Sequence, residues 1–234
     1  NVLASRYASV SMQELWAQAP KIRLERQLWI AVMRAQQELG IAIPVGVPEK
    51  YEAVMDTVNL ESIAERERVT KHDVKARIEE FNDLAGAEYI HLGMTSRDLT
   101  ENVEQLQIRL SLILIRDKSV AALDRLSGLA IAYSELAMAG RSHNVAAQIT
   151  TLGKRMATFA EELLFAVDRL EELIAAYPLR GIKGPVGTAQ DMLTLLDGNE
   201  KALADLEKRV AAHLGFDSIF TSVGQIYPRS LDFE

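Results

Sequence analysis

Residues 101–136 read ENVEQLQIRLSLILIRDKSVAALDRLSGLAIAYSEL, and this stretch decides the fold. Its apolar positions Val103, Leu106, Leu110, Leu114, Val120, Leu123, Leu126, Leu129 and Tyr133 recur every three or four residues, with no proline among them. At about 1.5 Å per residue, such a helix extends on the order of 50 Å. Helices beyond roughly 25 residues belong to bundles or coiled coils rather than to ordinary small domains. The heptads lack ordered flanking charges, so a bundle is expected.

Working outward, a second long helix is expected over about 146–176. Its stripe is Leu152, Met156, Phe159, Leu163, Val167, Leu170 and Ile174, and Pro178 ends it. Further on, Leu193 and Leu196 precede a turn at Asp197-Gly198-Asn199, and Leu203, Leu206, Val210 and Leu214 follow it. The first hundred residues predict shorter helices near 11–18, 21–39, 47–56, 60–68 and 71–85. No alternation long enough for a sheet and no internal repeat is present. The expected fold class is all-α. A small N-terminal helical domain over 1–102 would precede part of a long-helix bundle domain over 103–234.

Composition narrows the function. With 48% hydrophobic and 25% charged residues among 234, the chain is globular rather than disordered. A formal charge of −7 and the lack of a basic run argue against nucleic acid as a partner. The absence of cysteine excludes disulfides and thiolate metal sites. No run approaches about 18 apolar residues, so no membrane span is expected. Asn1-Val-Leu-Ala-Ser-Arg-Tyr7 lacks the regions of a signal peptide, and the cytoplasm is the expected compartment. The chain starts without Met and stops soon after Gly224-Gln-Ile-Tyr-Pro-Arg229, so both ends read as cut.

Between the two long helices lies Gly140-Arg-Ser-His-Asn-Val-Ala-Ala-Gln148, followed by Thr150-Thr-Leu-Gly-Lys154. A packing joint would favour Leu or Ala where His143 stands. Three other places share one form: Thr70-Lys-His-Asp73, Thr95-Ser-Arg-Asp98 and Thr188-Ala-Gln-Asp191. Each is an N-cap hydroxyl with a carboxylate three residues on, a relative of the capping box. Any one of them is more often a cap than a site. Their opening turns, however, carry Lys71 and His72, or Ser96 and Arg97, at helix starts suited to anions. Gly181-Ile-Lys-Gly-Pro-Val-Gly187 does not match a nucleotide P-loop. Beside Asp73, His72 is a candidate neutral partner or proton shuttle. His91 has both a structural and a site-adjacent reading, and His213 reads as a helix-surface residue. No pair of histidines has metal-site spacing, so no metal is expected.

Taken together, these segments resemble the adenylosuccinate lyase family of the fumarase/aspartase superfamily. The resemblance rests on Thr70-Lys-His-Asp-Val74, His91-Leu-Gly-Met-Thr-Ser-Arg-Asp98, the His143 segment, Thr150-Thr-Leu-Gly-Lys154 and Lys183-Gly-Pro-Val-Gly-Thr188, in the family's order and spacing. Arg6-Tyr7 and Gln225 also match, and the form the chain resembles is the bacterial one. The resemblance implies β-elimination of fumarate from adenylosuccinate, giving AMP, and the same cleavage of the succinyl-carboxamide ribotide. It implies no cofactor, and a homotetramer with each active site shared among three protomers. Residue by residue, it implies His143 as proton donor and His72 as the second active-site histidine. Lys71 and Asp73 would contact substrate, Thr95 and Ser96 the succinyl portion, Arg6 and Tyr7 the phosphate, and Gln225 the substrate through its amide. Thr151 and Lys154 would lie nearby.

Two departures stand out. Ser142 precedes the histidine where many relatives have Thr. The family's Ser-Ser-x-Met-Pro-x-Lys-x-Asn loop, read as the source of the general base, does not occur. The chain thus resembles the N-terminal half of such an enzyme, inactive alone. The alternatives are a sibling lyase, such as one acting on argininosuccinate, and a helical scaffold without chemistry.

Overall fold

Ten helices and one hairpin make up the described part of the chain, residues 2–224 of a computed structural model. Short helices α1 (Val2–Tyr7) and α2 (Val10–Leu15) lead into α3 (Gln18–Glu38). Then come α4 (Val47–Ala53), α5 (Leu60–Thr70) and α6 (Asp73–Ala85). The long helix α7 covers Ser96–Ala132, strands β1 (Ala137–Ser142) and β2 (Val145–Thr151) form the hairpin, and α8 covers Leu152–Ala176. Helices α9 (Gln190–Leu195) and α10 (Glu200–Leu214) follow. The fold is helical, as the periodicity requires.

The chain forms two compact units, residues 1–110 with 177–234 and residues 111–176. This division differs from the boundary expected near Val103. The reason lies in long-range contacts. Helix α10 packs along α3, and Arg180 is buried against Asp98 and Glu101 at the start of α7.

In the first unit α3 is enclosed on most sides, burying Ile22, Leu28, Trp29, Val32 and Met33. Its Arg26 is fully buried. That guanidinium donates to the carbonyls of Val54, Met55 and Thr57 at 2.9–3.1 Å and pairs with Glu80 on α6 at 2.5 Å. One charged side chain therefore closes the turn after α4 onto both α3 and α6. A buried charge is tolerated when it is paired and hydrogen-bonded in this way.

A second buried centre fastens the loop after residue 177 to the start of α7. Asp98 Oδ1 accepts from Arg180 at 2.5 Å and from the backbone N–H groups of Lys183 and Gly184 at 2.9 Å each. Asn102 pairs its amide with the N–H and C=O of Gly181 at 3.0 and 2.9 Å. The glycines of this loop serve approach by protein rather than by a ligand. A Cβ on Gly187, whose φ is +88°, would lie 1.6 Å from the Val223 carbonyl oxygen.

The second unit contains the later part of α7, the hairpin and α8. A methyl on Gly153 would sit 2.4 Å from the carbonyl oxygen of Ala130 and 2.6 Å from Ser134 Cα. The absent side chain thus sets how closely α8 starts against the end of α7. Gly153 N–H donates to Tyr133 O at 2.8 Å and Leu152 N–H to Leu136 O at 2.9 Å.

The hairpin corrects the expectation of a helix from about residue 146. Residues 145–151 pair antiparallel with 137–142, Ala137 opposite Thr151 and Ser142 opposite Val145, with an irregularity at Gly140/Arg141. The two-residue turn His143-Asn144 has φ of 50° and 66°, the left-handed pair a type I′ turn requires.

Candidate functional site

Two helix starts in the first unit bring the expected residues of the 70s and 90s together. Helix α5 continues through Thr70, so the helix start expected there lies two residues later. Lys71 ends α5 in the left-handed region, φ 54°, donating its N–H to Glu67 O at 2.9 Å. His72 is the N-cap of α6, and its Nδ1 accepts the N–H of Lys75 at 3.3 Å. Imidazole nitrogen here does the work that Ser or Asp usually does at a cap.

With Nδ1 turned to its own helix, His72 Nε2 faces Ser96 Oγ, 3.4 Å away at the first residue of α7. At the start of that helix the Thr95 N–H donates to Asp98 Oδ2 at 2.9 Å, the carboxylate half of a capping box. The expected carboxylate at Asp98 thus serves the helix start, and it carries the loop contacts besides. The third expected cap is displaced by one residue: Ala189, φ 49°, precedes α9, and no side chain caps it. The strained left-handed backbone at Ala189 takes the place of a threonine cap.

Asp73 Oδ1 lies 3.6 Å from His72 Nδ1, and its Oδ2 accepts from Arg77 at 3.0 Å. Burial alone would raise the Asp73 carboxyl, but Arg77, the Val74 N–H and His72 outweigh it and set it below its usual value. Lys71, His72 and Asp73 are all exposed and Ser96 is half-buried. The corner is an open cluster of donors and a base at two helix N-termini, able to hold an anion and move a proton.

His91 backs this corner. Trp29 Nε1 donates to His91 Nδ1 at 2.9 Å, with the rings edge-on, 6.0 Å apart. Burial, with the nearby charge of His72, lowers its pKa to about 4, so it is a neutral hydrogen-bond acceptor near pH 7. His213 is exposed on α10.

Arg6 and Tyr7 stand exposed on α1. Among the described residues no hydrogen bond or ion pair joins either to His72, Lys71 or Ser96. Gln225 lies outside the described residues. His143 belongs to the other unit, exposed at the tip of the hairpin rather than on a loop running straight into a helix. The hairpin itself lines an open cleft of about 780 Å³ with Arg141, Ser142, Gln148, Thr150, Thr151 and Lys154. Thr151 Oγ1 caps α8 by accepting the N–H of Lys154 at 3.1 Å. Lys183, in one of the segments that carry the resemblance, pairs with both carboxylate oxygens of Glu207 at 2.7–2.8 Å.

Sequence patterns did not single out Arg77 or Glu25, which stand directly behind Asp73. The only signal available was the i, i+4 spacing of Asp73 and Arg77. Among the described residues no group of three or more His, Asp or Glu side chains is placed to hold a metal ion. None of their helices is long and apolar enough to cross a membrane.

A long-helix architecture with polar helix starts of this kind leaves the class of protein open, and comparison with known proteins supplies it. The family model described as Lyase matches residues 20–220, and the chain belongs to that family. It is 33% identical over 238 residues to the adenylosuccinate lyase of Saccharomyces cerevisiae, covering 99% of this chain and 49% of that protein. Among solved structures, a fumarate lyase from Mesorhizobium sp. BNC1 superposes with a TM-score of 0.73 at 25% identity, over 91% of this chain and 49% of that one. The 3-carboxy-cis,cis-muconate lactonizing enzyme from Pseudomonas putida shares the fold, with a TM-score of 0.79 at 20% identity over 99% of this chain and 53% of that one. The chain spans about half the length of the curated relatives it matches.

Proposed function

We propose that this chain is part of an adenylosuccinate lyase. The enzyme would cleave adenylosuccinate to AMP and fumarate, and the succinyl-carboxamide ribotide to its carboxamide and fumarate. The observation that carries the reading is the 33% identity to the yeast adenylosuccinate lyase across 99% of this chain. The convergence of His72 and Ser96 at two helix N-termini supports it.

Elimination requires a base to take a proton from the carbon beside a carboxylate while the C–N bond breaks and an acid protonates the departing nitrogen. In this reading His143 protonates the nitrogen and His72 is the second active-site histidine. Thr95 and Ser96, with the N–H groups of α7, hold a carboxylate of the succinyl portion as charge builds on it. Lys71 and Asp73 contact the substrate, Arg6 and Tyr7 take the phosphate through a guanidinium fork and a phenol, and Gln225 adds an amide. The chain contains no Ser-Ser-x-Met-Pro segment, and in this reading the complete enzyme supplies the base from such a segment.

The domain division in the complete enzyme would be a helical domain over 1–102 and a bundle domain from 103. The enzyme would work in the cytoplasm as a homotetramer with each site shared among three protomers. Exposed apolar side chains on the second unit support assembly: Ile131 on α7, Ile149 on the hairpin and Phe165 on α8 are 74, 85 and 66% exposed, a surface suited to burial against copies of the chain. Fumarate release from adenylosuccinate by the complete gene product tests the reading, with argininosuccinate offered in parallel.

A further inference from the structure

Behind the His72 corner runs a line of charges. Arg77 stands one helical turn after Asp73 and donates to Asp73 Oδ2 at 3.0 Å. Its Nε meets Oε2 of Glu25, on α3, at 2.6 Å. Glu25 is fully buried, and burial raises its carboxyl above the usual value against the pull of Arg77 and Lys21. The Arg77 side chain is itself mostly buried, whereas the Asp73 side chain is 53% exposed. Asp73 Oδ1, the oxygen Arg77 leaves free, is the one 3.6 Å from His72 Nδ1.

An exposed i, i+4 ion pair on its own holds a carboxylate only weakly. Here one member is fixed from behind by a buried carboxylate on a different helix, so the pair inherits the rigidity of α3. A guanidinium suits the task, because its planar set of N–H groups can serve two carboxylates in different directions, whereas an ammonium is a single point charge. The order of contacts is Glu25, Arg77, Asp73, His72, Ser96, running from the core to the open corner.

We propose that Arg77, anchored by Glu25, is a positioning residue that fixes the Asp73 carboxylate beside His72 and so orders the Lys71-His72-Asp73 corner for substrate. The proposal rests on the function proposed above for that corner. Its effect is exerted through Asp73, and Arg77 itself touches no reacting atom.

The test uses the complete gene product with Arg77→Met and Asp73→Asn, singly and together. All are made in a Glu25→Gln background, because Arg77→Met alone would leave a buried carboxylate unpaired. Gln at that position keeps the shape of the side chain without the buried charge, so that background, compared with the unmodified gene product, is the reference enzyme. Each single change is expected to lower kcat/KM on the order of tenfold, and the double change to fall within about threefold of the worse single, since both act through one contact. A crystal structure of the Arg77→Met variant is expected to show the Asp73 carboxylate turned out of reach of His72. Losses that multiply, or an Asp73 carboxylate unmoved in that structure, would overturn the proposal. If the unmodified gene product does not cleave adenylosuccinate, the functional reading falls, while the position of Asp73 in the crystal still decides the role of Arg77.

Discussion

Acidification should weaken the first unit through one side chain, His91. Its pKa is lowered from 6.5 to about 4, mainly by burial, while its Nδ1 accepts the Trp29 indole N–H. Between those two values the unfolded chain binds a proton that the folded chain refuses, so stability falls as pH falls through that window. At about 1.4 kcal/mol per unit, the ceiling is roughly 3 kcal/mol, and about 2.5 kcal/mol of it is lost between pH 7 and about pH 4.5. Glu25 acts in the opposite sense, since its raised carboxyl takes a proton more readily folded than unfolded. Asp73, set below its usual value, adds to the acid loss only at still lower pH. A comparison between two proteins cancels both. The variant is His91→Asn, because residue 91 has φ 66° and Asn tolerates that region better than most residues. Urea unfolding followed by tryptophan fluorescence, at both pH values, should show the larger loss in the parent by about 2 kcal/mol. Equal losses in the two proteins would refute the burial argument.

Asp98→Ala takes from Arg180 one of its two buried carboxylate partners and from Lys183 and Gly184 their acceptor, and should cost about 3–5 kcal/mol in chemical unfolding; a loss under about 1 kcal/mol would mean that water reaches the site. Gly153→Ala pushes a methyl to within 2.4 Å of the Ala130 carbonyl oxygen, so it should lower stability by roughly 1–3 kcal/mol, and an unchanged melting temperature would show that α8 shifts freely. In the complete enzyme His143→Ala should lower turnover by roughly 10²–10⁴-fold with the helical circular dichroism intact; near-normal turnover would remove His143 from the role of acid.

Helices α3, α5 and α6 and the turn before α10 were legible because each couples a steady apolar stripe to a sharp stop. Asn199 shows how local that information is, capping α10 by accepting from Ala202 at 3.0 Å. The hairpin was not legible. Residues 137–151 hold four alanines and lead through Ile149, Thr150 and Thr151 straight into the apolar stripe of α8, so β2 merges with the helical pattern after it, and the turn is made by His143-Asn144 instead of the familiar Asn-Gly. The role of Asp98 at the start of α7 was legible, but its larger task was invisible, since its partner Arg180 is 82 residues away. Local pattern likewise placed a helix start at Thr70, where the left-handed Lys71 allows α5 to finish before His72 opens α6. Of the candidate site, the residues that share a short motif were found together. The support behind them, Arg77 and Glu25, depends on two helices meeting.

The most direct test of the whole account is fumarate release by the complete gene product, offered adenylosuccinate and argininosuccinate side by side. The account predicts release from adenylosuccinate alone. Release from argininosuccinate, or from neither, would leave the lyase fold standing and contradict the nucleotide substrate, and with it the roles given to Arg6, Tyr7, Lys71, His72 and Asp73.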